Sequence, residues 1–208
     1  MKTVITIGRQ YGSKGHEIGE KLSEALGYAF YDKKLVEIAA EKSNLPDDTV
    51  KKIDEKATSS LLYSLATGSY SIRGMSGPLY YEMPLNDKLF LAQSDIIKNI
   101  AAKENSIIVG RCADYVLDDC EDIRHISIFF HAPTEHRIKR VMDVYGLDYK
   151  HAKDKVIKTD KQRKTYYSYY TNKEWGKVSN YDLCINTEIF SVDDIVNMIA
   201  NYLRSSER

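Results

Sequence analysis

Residues 5–19 read "ITIGRQYGSKGHEIG". An apolar run, Val4 to Ile7, enters a glycine-bearing turn and leaves it as a helical pattern that continues to Leu26, with Gly27 as its stop. A strand, a glycine turn and a helix start make an anion site. The first backbone N–H groups of the helix have no partner within it, and the helix dipole favours negative charge there. Glycine lets the backbone come close to an oxyanion and take φ > 0.

The P-loop pattern G-x-x-x-x-G-K-[ST] adds a lysine for the terminal phosphates and a hydroxyl for Mg²⁺. Counted from Gly8, Lys14 falls on the lysine position, Ser13 replaces the second glycine and Gly15 replaces the Ser/Thr. The competing reading is that Gly12, Gly15 and Gly19 serve a tight turn and close helix packing. A dinucleotide fingerprint fits less well. The glycines run G-x-x-G-x-x-x-G, and Asp32 follows Gly19 by 13 residues, short of the ~20 that pattern needs.

Four more apolar runs follow: Tyr28–Tyr31, Ser106–Val109, Ile126–Phe130 and Leu183–Ile185. Continuous apolar runs separated by helical pattern are strands covered on both faces, so the expected class is α/β with a parallel sheet. The 208 residues fit one domain, 1–208. Within it, residues 33–104 exceed a minimal βαβ crossover. Their stretch 63–86 is rich in Ser, Gly, Tyr and Pro, the composition of a functional or flexible segment. Residues 137–180 are basic: from Arg137 to Lys164 there are ten Lys/Arg against four Asp.

The chain is 43% hydrophobic, which supports an ordinary core. Thirty Lys/Arg balance thirty Asp/Glu, a zero charge unlike that of dedicated nucleic-acid binders. Cys112, Cys120 and Cys184 form neither a disulfide framework nor a C-x-x-C metal pair. The N-terminal apolar run is too short for a leader or a membrane span, so a soluble, cytoplasmic protein is expected.

Several positively charged side chains can meet a phosphate: Arg9, Lys14, Arg111, Arg137, Arg140, Lys158, Lys161 and Arg163. Arg111 follows the third apolar run, and the carboxyl end of a central parallel strand faces the ligand crevice. Asp32 closes the second run; it can bind a sugar, base or metal-bound water, or cap a helix beginning at Lys33. Arg137 and Arg140, three apart, are expected on one helix face pointing at one anion. The segment 165–176, "TYYSYYTNKEWG", can pack in a core, face an adenine, or stack on single-stranded bases. Exposed tyrosines also leave a homodimer open. The histidines are read as structural.

The ordered set "ITIGRQYGSKGHEIGEKLSEALGYAFYDKKLV", "IIVGRCADYVL", "HAPTEHRIKRVM", "KTDKQRKTYY" and "NYDLCINT" resembles the cytidylate kinase-like family, a branch of the P-loop nucleoside monophosphate kinases. The resemblance runs from Val4 to about Thr187. It implies the three-layer fold of the P-loop nucleoside triphosphate hydrolases, with a five-stranded parallel sheet in the order 2-3-1-4-5. Residues 33–104 would hold an acceptor-binding insertion and residues 144–180 a lid.

The resemblance also implies ATP and Mg²⁺, with phosphate passing to a nucleoside monophosphate, CMP or dCMP first. Gly12-Ser13 aligns with the "GSGKG" core of cytidylate kinases, leaving Gly15 in the lysine slot and Lys14 one residue early. The phosphates of ATP would then lie on Arg9, Gly12, Ser13, Lys14, Gly15, His16 and Glu17. Arg111 would hold the acceptor phosphate, Asp32 would belong to the acceptor-binding set through a sugar or base, and Asp114 stands two residues beyond the aspartate of a "GRD" motif. Arg163 and Asp160 align with the lid motif "DSxR"; Lys155 or Lys158 stands near its second arginine. Lys14, Arg137 and Arg163 would assist transfer, and Ser13, Glu17 and Asp32 are the Mg²⁺ candidates. A nucleotide-binding regulatory module with little turnover, or a kinase of a non-nucleotide small acceptor, is the alternative.

Overall fold

The computed structural model describes residues 1–32, 35 and 84–205. The stretch 63–86, apart from its last three residues, and more than two thirds of the expected insertion therefore lie outside the described residues.

All five apolar runs are strands. β1 (Lys2–Arg9) is central, flanked by β3 (Ser106–Val109) and β4 (Ile123–His131); β2 (Ala29–Tyr31) and β5 (Leu183–Asn186) form the edges. The order is β2-β3-β1-β4-β5 and every pairing is parallel. Ile5 stands opposite Ile107 on one side and Ile126 on the other. β4 begins three residues earlier than its apolar run. Its polar start, Ile123 to His125, is recruited by pairing with Lys2 to Val4, which hydrophobicity does not reveal.

Alternate β1 residues serve opposite faces. Ile5 and Ile7 pack with α1 (Gly15–Leu26), through Ile18 and Leu22, and with the C-terminal α6 (Val192–Ser205), through Ile195, Ile199 and Leu203. Val4 points to the other layer, where α2 (Leu85–Lys103) contributes Leu89, Phe90, Ile97 and Ala101 and the short α3 (Ala113–Val116) contributes Ala113 and Val116. Each fully buried aliphatic side chain is worth about 1.5–3 kcal/mol against exposure. The described part of 33–104 is thus chiefly a core crossover helix.

The basic segment is a pair of helices, α4 (Thr134–Tyr145) and α5 (Tyr149–Thr171). Ile138 and Val141 meet Ala152 and Val156 between them. The tyrosine-rich end of α5 joins the core rather than solvent. Tyr166 and Tyr167 are buried, and Tyr170 stacks on Phe90 with centroids 4.0 Å apart. None of the three cysteines is in a disulfide. Among the described residues, no helix is long and apolar enough to cross a membrane.

Candidate active site

The crevice lies at the carboxyl ends of β1, β2 and β3, where strand order reverses about β1 and ligands collect in open parallel sheets. α1 starts at Gly15, two residues before its apolar pattern, because Lys14 takes φ 62° as N-cap and Gly12 takes φ 81°. These two left-handed residues turn the chain sharply out of β1 into the helix. A Cβ on Gly12 would lie 2.9 Å from the Arg137 carbonyl oxygen, so the loop rests directly on α4. The loop borders a cavity of about 520 Å³, together with Arg9, Asp32, Arg111, Arg140, Tyr145 and Arg163.

α5 and α4 hold that loop from below. The Tyr11 N–H donates to Asp160 Oδ1 at 2.7 Å, and Arg137 Nη1 donates to the Tyr11 carbonyl at 3.0 Å and to Asp160 Oδ2 at 2.6 Å. Arg137 Nε donates to the Ala132 carbonyl at 3.0 Å, and the residue is only 4% exposed. The expectation that Arg137 and Arg140 face one anion is corrected here. Arg137 lies nearer the loop, and its planar fork is engaged by backbone carbonyls and Asp160, so it braces the loop without bordering the cavity. Arg140 does border it, and its Nη2 donates to Glu17 Oε2 at 2.6 Å.

Of the expected lid residues, Arg163 reaches the crevice and donates from Nη1 to the Arg9 carbonyl at 3.0 Å. Asp160 holds the loop, as described. Lys158 is exposed on α5 and borders neither this cavity nor the smaller one beside it. Lys155 instead lies 4.1 Å from the ring centre of Tyr145, which stacks on Tyr11. Tyr11 and Tyr145 are wall residues that sequence reading did not single out. Their pairing joins positions 134 residues apart, and no local pattern announces it.

Arg111 occupies a turn in which Gly110, Arg111 and Cys112 have φ of 81°, 57° and 53°. Two consecutive non-glycine residues in the left-handed region cost of order 1 kcal/mol or more each. The turn swings the Arg111 side chain to the crevice, where it is 5% exposed. Asp114 goes the other way. It accepts from Tyr167 Oη at 2.7 Å and borders not the loop cavity but a smaller one of about 30 Å³, with room for roughly one water, and a separate cavity beside Asp118 and His125. Burial pushes the Asp114 carboxyl above the usual carboxylate range, with the Tyr167 hydrogen bond opposing it. Arg9, Arg111 and Arg163 border both cavities and so form the wall between them.

Asp32, 8% exposed, closes β2 against the crevice, with Arg9 Nη2 at 3.6 Å and His16 Nε2 at 3.2 Å. Of the Mg²⁺ candidates, Ser13 does not fit. Its hydroxyl donates inward to the Gln10 and Phe130 carbonyls, at 2.8 and 3.2 Å, and the residue is 1% exposed. Asp32 and Glu17 both border the large cavity. Mg²⁺ beside substrate phosphates takes one or two carboxylates, often through water, which these two suit. No cluster of three or more His, Cys, Asp or Glu able to hold a metal occurs among the described residues.

Comparison with known proteins places the chain's family and fold. A curated cytidylate kinase of Staphylothermus marinus is 30% identical over 104 residues, 50% of this chain and 56% of that protein. The chain spans about half the length of the curated relatives it matches. The crystal structure of an uncharacterized protein from Eubacterium ventriosum is 28% identical, with a TM-score of 0.71 over 98% of this chain and 99% of that one. A shikimate kinase from Bacteroides thetaiotaomicron shares the fold at a TM-score of 0.53 and 11% identity, over 97% and 98% of the two chains. The model of the cytidylate kinase-like family matches residues 4–189, most of the chain from the start of β1 to just beyond β5, and the chain belongs to that family.

Proposed function

We propose that the protein transfers the γ-phosphoryl group of ATP to a nucleoside monophosphate, with CMP or dCMP as the favoured acceptor. The observation that carries this reading is the convergence of a helix N-terminus with Arg111, Arg140 and Arg163 on one cavity of nucleotide size. Family membership supports it, as does the likeness to a relative named cytidylate kinase.

The acceptor phosphate is already ionised near neutral pH, so no general base is required. Its oxygen attacks the γ-phosphorus, the bond from that phosphorus to the β–γ bridging oxygen breaks, and ADP leaves with the electron pair. Catalysis is positioning and charge stabilisation. The amides of Gly12 and of Lys14 to Glu17 hold the triphosphate together with the Lys14 side chain, with the helix dipole behind them; the Ser13 amide is engaged by the Gln10 carbonyl at 3.2 Å. Arg111 holds the acceptor phosphate, Arg163 the transferring group, and the acceptor's sugar or base meets Asp32. Asp32 and Glu17, which border the cavity, are the carboxylates that would hold Mg²⁺, and the bound ion would offset phosphate charge.

A panel of nucleoside monophosphates incubated with ATP and Mg²⁺ tests the activity. Arg111→Ala and Arg163→Ala should each slow transfer to the best acceptor by on the order of 10³-fold. Unchanged turnover in both variants rules the site assignment out. Gly15 in the lysine slot favours a second reading, a nucleotide-binding module with little turnover. ATP binding without transfer to any acceptor, shikimate- or gluconate-like hydroxy acids included, is the result that selects it.

A further inference from the structure

Gly15 stands where the aligned P-loop carries lysine, and the reason no side chain stands there is steric. A Cβ on Gly15 would lie 2.6 Å from Arg9 Cβ, closer than real side chains approach, and a tight 3.1 Å from Arg9 Cγ. Across the crevice, a Cβ on Gly110 would collide with Arg9 Nη1. Two glycines on different elements, at the start of α1 and after β3, therefore clear a channel for one arginine. Its stem crosses the first turn of α1 and its head ends 3.6 Å from Asp32. The residue is 9% exposed, yet it borders both the loop cavity and the cavity behind Arg111.

We propose that Arg9 supplies the cationic contact to the triphosphate that a P-loop otherwise draws from its lysine, entering from the strand before the loop instead of the helix after it. The proposal rests on the phosphoryl-transfer reading above. Arg9 is the last residue of the central strand, and Phe130 is its partner in the sheet. A charge placed there is carried by the central strand of the sheet. Asp32 orients the guanidinium and balances its charge, so the site carries no uncompensated buried cation before nucleotide arrives. A lysine on α1 and an arginine on β1 use the same volume, and the chain can hold only one of them. The planar fork can meet two phosphate oxygens at once, which an ammonium does not do.

Wild type, Arg9→Met and Arg9→Lys should be titrated calorimetrically with ATP and with inorganic tripolyphosphate, alongside melting curves and transfer assays. Methionine keeps an apolar stem over Gly15 and removes the charge; lysine restores a charge without the fork. The expected result is at least a tenfold loss of affinity for both probes in Arg9→Met, with most of it recovered in Arg9→Lys. Equal affinities in the folded variants overturn the role of Arg9 and leave the proposed function standing. Wild-type protein that binds neither probe overturns the proposed function itself. If Arg9→Met does not fold, Arg9→Gln, which removes the charge and keeps a polar head for Asp32, takes its place and is read in the same way; loss of folding in both assigns Arg9 to structure alone.

Discussion

Gly15 and Arg9 compete for one volume, and this makes a residue-scale prediction that runs against motif logic. Restoring the lysine with Gly15→Lys should not improve the site. The new Cβ meets the stem of Arg9, a residue paired with Phe130 of β4 and whose head lies against Gly110. Overpacking of this kind costs about 1–3 kcal/mol. Chemical denaturation should show that loss for Gly15→Ala and for Gly15→Lys alike, and ATP affinity should fall in both. A Gly15→Lys protein as stable as wild type with tighter ATP binding would refute the steric account. The same scale separates Arg137 from Arg140. Both look like phosphate ligands in a string of letters, but the backbone carbonyls around Arg137 engage its donors first.

At the scale of elements, β4 carries a titratable group into the sheet. His125 Nε2 lies 2.8 Å from Thr6 Oγ1 on β1, and burial holds its pKa below the ordinary imidazole value. Asp182 and Asp118 oppose that shift without cancelling it. The fold therefore favours neutral His125. The stability this provides is fully present above the unfolded value of about 6.5, and is lost as pH falls through 6.5 towards the lower folded value. Denaturation midpoints measured from pH 7.5 to 5 should fall more for wild type than for His125→Gln. Parallel pH profiles would dismiss the idea. Asp114 works in the opposite sense, its raised pKa favouring the fold as pH falls, and the difference between the two proteins removes that contribution.

Elements also show where reading from sequence succeeded. Five apolar runs and Gly27 were legible because burial on both faces and a left-handed C-cap each leave a local mark. The direction of Asp114 was not legible. Whether a side chain in the first turn of a four-residue helix faces crevice or core depends on Tyr167 of α5, 53 residues later. The exposed position of Lys158, away from the cavity, was not legible for a related reason. A 23-residue helix whose ends contact different neighbours gives no single face that periodicity could reveal.

For the whole molecule, the crevice joins both ends of the chain's order. β1 and its loop come first, yet α4 and α5 hold the loop in place from residues 137, 160 and 163. Ligand bound there should stabilise the entire fold. At a hundred times its dissociation constant, ATP adds about 2.7 kcal/mol. For a chain of this size that raises the melting temperature by roughly 5–10 °C. Differential scanning fluorimetry with ATP and Mg²⁺ should register the shift, and adenosine alone should give less. No shift with ATP at millimolar concentration would contradict a triphosphate site.

Sequence by itself determined the α/β class, the order of strands through family resemblance, the strand–glycine turn–helix start at Gly12 to Gly15, and Arg111 at the end of its strand. Those follow from hydrophobic period, glycine and chain order, which are local or cumulative along the chain. Tertiary structure alone decided which arginines face the cavity, that Ser13 turns inward, and that Gly15 is bare because Arg9 lies across it. Those outcomes depend on contacts between residues far apart in the chain, where one side chain's volume or carbonyl excludes another's choice. No spacing within a single element encodes them.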